Sequence, residues 1–299
     1  MILVIGEILF DIFPKSKRLG GAPFNFAYHL KQSGFPVRFI SRIGKDYNGR
    51  EILNRIQAAG FDPGDIQLDD AHPTGTVQVQ VDKSGVPEFD IISDVAYDYI
   101  ELKPEAYADH LLNAELVYFG TLIQRTDPAF KRIQQFLHRK QAGTVSFYDI
   151  NLRRDCYSDE VIESSLYKTD ILKLNTDELR ECKRITGLDH DEPSLIRHMM
   201  TQYSLHTVAL TKGDAGSELY TTEGASSAAP ELAEFMVDTV GAGDAYAAML
   251  AAGILMKWSP QKMLSLATAF ASRICTIEGA LPDSAEFYEP VRKQIRNGE

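Results

Sequence analysis

With 299 residues, 44% of them hydrophobic, the chain can bury a full core, as two domains or as one large α/β unit, which excludes disorder. Its 42 acidic residues against 31 Lys and Arg give a net charge of -11. That charge repels nucleic acid and anionic membrane, yet a nucleotide can still be held by backbone amides and helix N-termini.

Along the chain, Met1–Glu7 opens on a short apolar run without the basic stretch and long apolar core of a signal peptide. No apolar window reaches the roughly 18 residues needed to span a bilayer. Cys156, Cys182 and Cys275 are widely spaced and odd in number, so they read as reduced thiols, and the expected location is cytoplasmic. A strand is predicted at Ile2–Ile5, a helix near Asn25–Ser33 and a strand at Val37–Ile43. At 72–92 the texture changes. Thr76-Val-Gln-Val-Gln-Val-Asp82 alternates strictly, and a Lys83-Ser84-Gly85 turn leads into Pro87–Ile92, which predicts a β-hairpin with one apolar face that must cover something.

From residue 115 onward short β-rich runs alternate with amphipathic stretches: Leu116–Phe119, a helix near Pro128–Gln141, Thr144–Asp149, Asp170–Leu174, helices near Asp177–Thr186 and Pro193–Tyr203, then Thr207–Thr211. This βαβ rhythm predicts a parallel sheet. Ligands of such sheets sit beyond the carboxyl ends of the strands. The polar residues found there are Gly6-Glu7, Asp149-Ile-Asn151-Leu-Arg153, Asn175-Thr-Asp-Glu178 and Thr211-Lys-Gly213-Asp-Ala-Gly216.

Asp238-Thr-Val-Gly241-Ala242-Gly243-Asp244 precedes an Ala-rich helix predicted at Ala245–Met256. Small residues at a helix start let successive amides converge on one anion, and Asp244 is placed to take a proton from an attacking hydroxyl there. The bland reading is an ordinary N-terminal turn with an acid in its first turn. A P-loop is absent, and Gly241-Ala-Gly243-Asp-Ala-Tyr246 lacks the last glycine of a dinucleotide fingerprint. Gly20-Gly21-Ala-Pro-Phe-Asn25 allows close backbone approach to a ligand, with Asn25 either a partner for sugar hydroxyls or a helix cap.

These two segments, with Ala27, Gly34 and Gly44 at matching intervals, resemble the two signatures of the PfkB, or ribokinase-like, carbohydrate kinases, over roughly residues 2–285. The resemblance implies a three-layer α/β/α fold with a mostly parallel central sheet and a small β-hairpin lid. Residues 1–299 would form one kinase domain, with the lid built from about 10–20 and 72–100. It further implies transfer of the γ-phosphoryl of ATP to a sugar hydroxyl, with Asp244 as base and Gly241, Ala242 and Gly243 as the anion hole. Asp11, Gly20, Gly21 and Asn25 would hold the sugar, and Arg153 would contact sugar or phosphate. Asn175, Thr211, Gly213 and Gly216 would face the nucleotide, Glu178 would act on Mg²⁺ through water, and a helix at Ala267–Ile277 would lie beside the adenine.

A monovalent cation such as K⁺ near Asp238 and Gly279 is left open, because Met249 stands where the family usually has Gly. The first motif, His72-Pro-Thr-Gly-Thr76 and Asp94-Val-Ala-Tyr-Asp98 look most like bacterial fructokinases, so fructose is the expected substrate. The alternatives are a 2-keto-3-deoxygluconate, ribose or nucleoside kinase of the same family, or a sugar or nucleotide sensor without catalysis. A homodimer formed through the lid is also expected. Neither nucleic acid nor membrane is expected as a partner.

Overall fold

The computed structural model describes residues 1–81, 87–230 and 235–297. Its main sheet has nine strands: β1 (Ile2–Ile5), β4 (Val37–Gly44), β5 (Ile66–Asp69), β8 (Leu116–Gly120), β9 (Val145–Asp149), β10 (Ile171–Asn175), β11 (Thr207–Thr211), β12 (Ser217–Thr221) and β13 (Gly224–Ala228). They lie in the order β13-β12-β11-β10-β9-β8-β1-β4-β5. From β11 to β5 every pairing is parallel. The antiparallel extension β11-β12-β13 was not part of the sequence expectation.

The three layers are legible within β1 itself. Ile2 and Val4 enter one apolar cluster, with Phe24 and Phe26 of α1 (Ala22–Gln32), Ile52 and Ile56 of α2 (Tyr47–Ala58), and α8 (Ala242–Leu255) and α9 (Pro260–Ile274). Leu3 and Ile5 enter the opposite cluster, with residues of α3 (Pro104–Asn113), α4 (Asp127–Leu137), α5 (Asp159–Leu166), α6 (Thr176–Thr186) and α7 (Glu192–Tyr203). Alternate side chains of a strand point to opposite faces, so a strand covered on both sides must be apolar throughout, as Ile2-Leu-Val-Ile5 is. Helix α10 (Glu289–Asn297) closes the chain on the first face, burying Val291.

A second sheet, in the order β3-β2-β6-β7, joins β2 (Leu9–Ile12) and β3 (Lys17–Gly20) to β6 (Thr76–Val81) and β7 (Pro87–Ile91). The expected hairpin is therefore the antiparallel pair β6-β7, and β2 attaches to it in parallel. Its Lys83-Ser84-Gly85 turn lies outside the described residues.

Several helix boundaries differ from expectation: α1 begins at Ala22 and not Asn25, α4 ends at Leu137 and not Gln141, and α9 begins at Pro260 and not Ala267. Helix α8 starts at Ala242 because Gly241, in the left-handed region at φ 79°, already caps it. Helix α9 ends at Ile274 and not at Ile277: the next amides tighten to i→i+3 bonds, Thr276 N–H to the Arg273 carbonyl and Ile277 N–H to the Ile274 carbonyl, while the Cys275 carbonyl accepts the amides of Val237 and Asp238. Met249 is fully buried in the core that α8 shares with α1 and α9, which is a packing role.

Candidate active site

The two motifs, some 220 residues apart in sequence, meet directly. Asn25 Nδ2 donates to Asp244 Oδ2 at 2.8 Å. Asn25 is buried in the first turn of α1, and its Oδ1 has no partner among the described residues. It is thus no helix cap: Gly21 occupies that position at φ 107°. A Cβ there would lie 2.5 Å from the Glu7 carbonyl, so only glycine lets the start of α1 approach the end of β1 so closely.

Asp244 occupies the first turn of α8, half-buried. Burial, reinforced by the neighbouring Asp149, raises its carboxyl from 3.8 to about 6. The Asn25 hydrogen bond, Lys173 and Arg153 hold it from rising further. A carboxylate poised there is ionised at neutral pH yet more basic than an ordinary Asp, which suits a general base.

Beneath the Gly241–Gly243 amides lies Lys173, a residue the sequence reading missed. A Cβ on Gly243 would stand 3.2 Å from its Nζ. Lys173 is buried in β10 and pairs at 3.0 Å with buried Asp149, its in-register neighbour on β9. Burial works against its charge, but Asp149, Glu178 and Asp244 outweigh burial and raise its pKa. The available signal was a lysine inside the otherwise apolar run Ile171-Leu-Lys-Leu174, since a fully buried lysine needs a partner.

Asn175, Thr211, Gly213, Gly216, Ala242 and Gly243, all singled out from sequence, line a single cleft of about 380 Å³. This is within the ordinary range for small-molecule sites. Its far wall includes Thr268, Ala271 and Ser272 of α9. Glu178 is buried behind it and forms a capping box with Asn175. Asn175 Oδ1 accepts the Asp177 and Glu178 amides, while Glu178 accepts the amides of Asn175 (2.8 Å) and Leu152 (2.9 Å). Asn175-Thr-Asp-Glu178 is thus also the capped first turn of α6, with two acids in it. Each Glu178 oxygen keeps a further lone pair, so the residue fits a contact to a hydrated Mg²⁺ through water and not direct enclosure of the ion.

On the other side of Asp244 lie Glu7, Asp11 and Arg153. Gly20 leaves room for Asp11, since a Cβ there would be 2.9 Å from Asp11 Oδ2. Burial raises the Asp11 carboxyl to about 6 against the pull of Arg153 and Arg18. Arg153 is exposed, and its side chain has no hydrogen bond or ion pair among the described residues. With Glu7, Asp149 and Asn151 it lines a small pocket beside Tyr118 and Gly120. Asn151 is held at φ 37°, a conformation that residues other than glycine rarely adopt. Glu7 is the second residue whose role sequence left unread: it is buried, and its Oε2 is unpartnered among the described residues. Burial pushes its carboxyl up to about 8.

At Asp238 the surroundings do not fit a monovalent cation. Oδ2 accepts from Arg18 Nη1 (2.9 Å) and the Gly279 amide (3.1 Å), and Oδ1 accepts the Val240 amide (3.0 Å). The carboxylate is thus surrounded by donors, one of them already a cation.

The fold and this arrangement define a phosphotransferase acting on a sugar hydroxyl. The chain belongs to the pfkB family of carbohydrate kinases, whose model matches residues 11–286. It is 29% identical over 297 residues to a fructokinase of Klebsiella pneumoniae, covering 95% of this chain and 94% of that protein. Identity to a 5-dehydro-2-deoxygluconokinase of Geobacillus kaustophilus is 25% over 295 residues, covering 95% and 87%. A solved structure of a sugar kinase from Pyrococcus horikoshii in complex with ATP matches with a TM-score of 0.84 at 24% identity, over 99% of this chain and 100% of that one. Among the described residues no helix is long and apolar enough to cross a membrane.

Proposed function

We propose that this chain phosphorylates a hydroxyl of fructose from Mg·ATP, with Asp244 as the general base. The observation that carries the reading is the 2.8 Å hydrogen bond from Asn25 to Asp244, which joins the acceptor-side motif to the anion-binding loop at one point. The nucleotide would enter the 380 Å³ cleft, with its phosphates toward the Gly241–Gly243 amides and Lys173. The acceptor would lie over Asp11, Gly20, Gly21 and Asn25, with Arg153 free to turn toward it.

Asn25 holds one oxygen of Asp244, which leaves the other to receive the acceptor proton. The acceptor oxygen then forms its bond to the γ-phosphorus as the bond to the ADP oxygen breaks in line. Charge developing on the transferring group is met by the loop amides and by the Lys173 ammonium, fixed in place before the reaction. When bound, Mg²⁺ supplies positive charge across the phosphates, with Glu178 its ligand through water. The small sheet β3-β2-β6-β7 would act as a lid that keeps water from competing as acceptor.

The K. pneumoniae fructokinase supports fructose, while the G. kaustophilus relative keeps sugar acids in view, for which Arg153 at the small pocket offers a cation. The test is Mg²⁺-dependent ADP release over fructose, glucose, ribose, 2-keto-3-deoxygluconate and adenosine. Turnover is expected with fructose. Preference for another acceptor corrects the substrate and keeps the mechanism, and silence from folded protein that still binds ATP or sugar favours the sensor reading.

The small sheet ends on two edge strands, β3 and β7, with no further strand partner among the described residues, and Phe89 on β7 is exposed. Such edges invite pairing with another chain, which supports a homodimer through this sheet. Sedimentation at assay concentration should give twice the 33.4 kDa chain mass, and a monomer overturns the assignment.

A further inference from the structure

Arg18 lies on β3, the edge strand of the small sheet, directly across from Asp11 on β2. Its guanidinium crosses to the main body. Nη1 pairs with Asp238 at 2.9 Å, Nη2 pairs with Glu278, and the group covers the Phe13 ring with 4.7 Å to its centroid. The Arg18 stem also packs on Gly279, where a Cβ would be 3.5 Å from Cδ.

What Arg18 grips is the root of the anion-binding loop. Asp238 receives the Val240 amide through Oδ1 and the Gly279 amide through Oδ2, so one carboxylate fixes both the loop and the strand of chain behind it. Gly241 in turn rests on Ala280 so closely that a Cβ would stand 2.2 Å from the Ala280 Cβ. Movement of residues 278–280 therefore bears directly on Gly241 at the head of the loop. The pairing spans 220 residues of sequence, and the guanidinium is only partly exposed, 28% for the side chain. It is thus better placed to matter than an ordinary surface ion pair.

We propose that Arg18 is a positioning residue that couples the seating of the small sheet to the alignment of the Gly241–Gly243 amides, so that the phosphoryl site is completed when the acceptor side is in place. This rests on the kinase reading above. Because one ångström of misplacement at a reacting centre can cost about 100-fold in rate, a clasp at the root of the loop suffices for such control.

The test compares Arg18→Met, which keeps the stem and removes the charge, with Arg18→Ala and with the unaltered protein. Amide hydrogen exchange is read peptide by peptide in the absence of substrates, and turnover is read with the acceptor that the panel identifies. Arg18→Met should raise exchange about 10-fold or more at Val240–Gly243 while leaving β8–β11 unchanged. Its sugar-dependent turnover should fall about 10- to 100-fold, with KM for ATP within about twofold, and millimolar guanidinium should restore part of the activity of Arg18→Ala. Unchanged exchange in the loop overturns the proposal, and so does exchange raised uniformly across the sheet, which would mark Arg18 as a general stabiliser. If the unaltered protein transfers phosphate to no acceptor, the kinase reading fails, and the exchange measurement alone still decides whether the clasp exists.

Discussion

Asp244→Asn is expected to lower sugar-dependent turnover by about 10²- to 10⁴-fold, the span that loss of a positioned general base removes. The fold should survive, because the asparagine oxygen can still accept the Asn25 Nδ2 hydrogen bond, and calorimetry should find the unfolding temperature little changed. Near-normal turnover in this variant would remove Asp244 from its role. The pH profile gives an independent reading. With its carboxyl raised to about 6 by burial and by Asp149, the base is lost by protonation well above the usual Asp range, so kcat/KM should fall as pH drops through about 6. Asp11 is raised to the same region, so the profile of Asp11→Asn is needed alongside. A limb that persists near 6 in that variant belongs to Asp244, and a limb that stays near 4 in the unaltered protein overturns the assignment of a raised base.

The second large effect concerns stability. Glu7 is shifted from 4.5 to about 8 by burial, with the Arg153 charge and its own backbone amide opposing and Asp244 adding to the rise. The folded protein therefore keeps the Glu7 proton up to about pH 8, whereas the unfolded chain releases it near 4.5. Unfolding releases a proton throughout that interval, so rising pH favours the unfolded state by up to about 1.4 kcal/mol per pH unit from this residue. The contribution is flat below 4.5 and again above 8. Glu7→Gln should remove it: urea melts at pH 5, 6.5 and 8 should show the unaltered protein losing stability relative to the variant as pH increases. Parallel stability curves would mean that Glu7 ionises normally in the folded state.

Much of this was open to reading in the sequence, for identifiable reasons. The strands of the second half are continuous apolar runs, and the helices between them carry clear amphipathic spacing, so the parallel order followed from local pattern. That Asn175, Thr211, Gly213 and Gly216 would line one cleft was legible because each lies at or just past the end of a strand, and parallel strands deliver their carboxyl ends to one edge. Strands β2 and β3 were expected only as part of the lid that the family resemblance implies at about 10–20, and no local pattern marked them. Leu9-Phe-Asp-Ile12 and Lys17-Arg-Leu-Gly20 are four residues each and only partly buried, and they become strands by pairing with one another and with β6. Lys173 and Glu7 escaped for a related reason. Sequence offers their identity but not their burial, and the chemistry of both lies in what surrounds them: a carboxylate 3.0 Å away for one, and for the other an oxygen with no partner among the described residues. Arg18 reads as a surface residue until the chain brings Asp238 to it.

The chain order of the site carries an evolutionary consequence. Every residue lining the cleft proposed for the nucleotide comes from position 175 or later, while the proposed acceptor side draws on residues 7–25 and the small sheet, with Arg153 the exception. The two halves of the chemistry are thus written in separate stretches of the gene. Exchange or drift within the first hundred codons can retune which molecule is chosen while the donor machinery is inherited intact, and grafting that stretch between relatives is the natural route to altered preference.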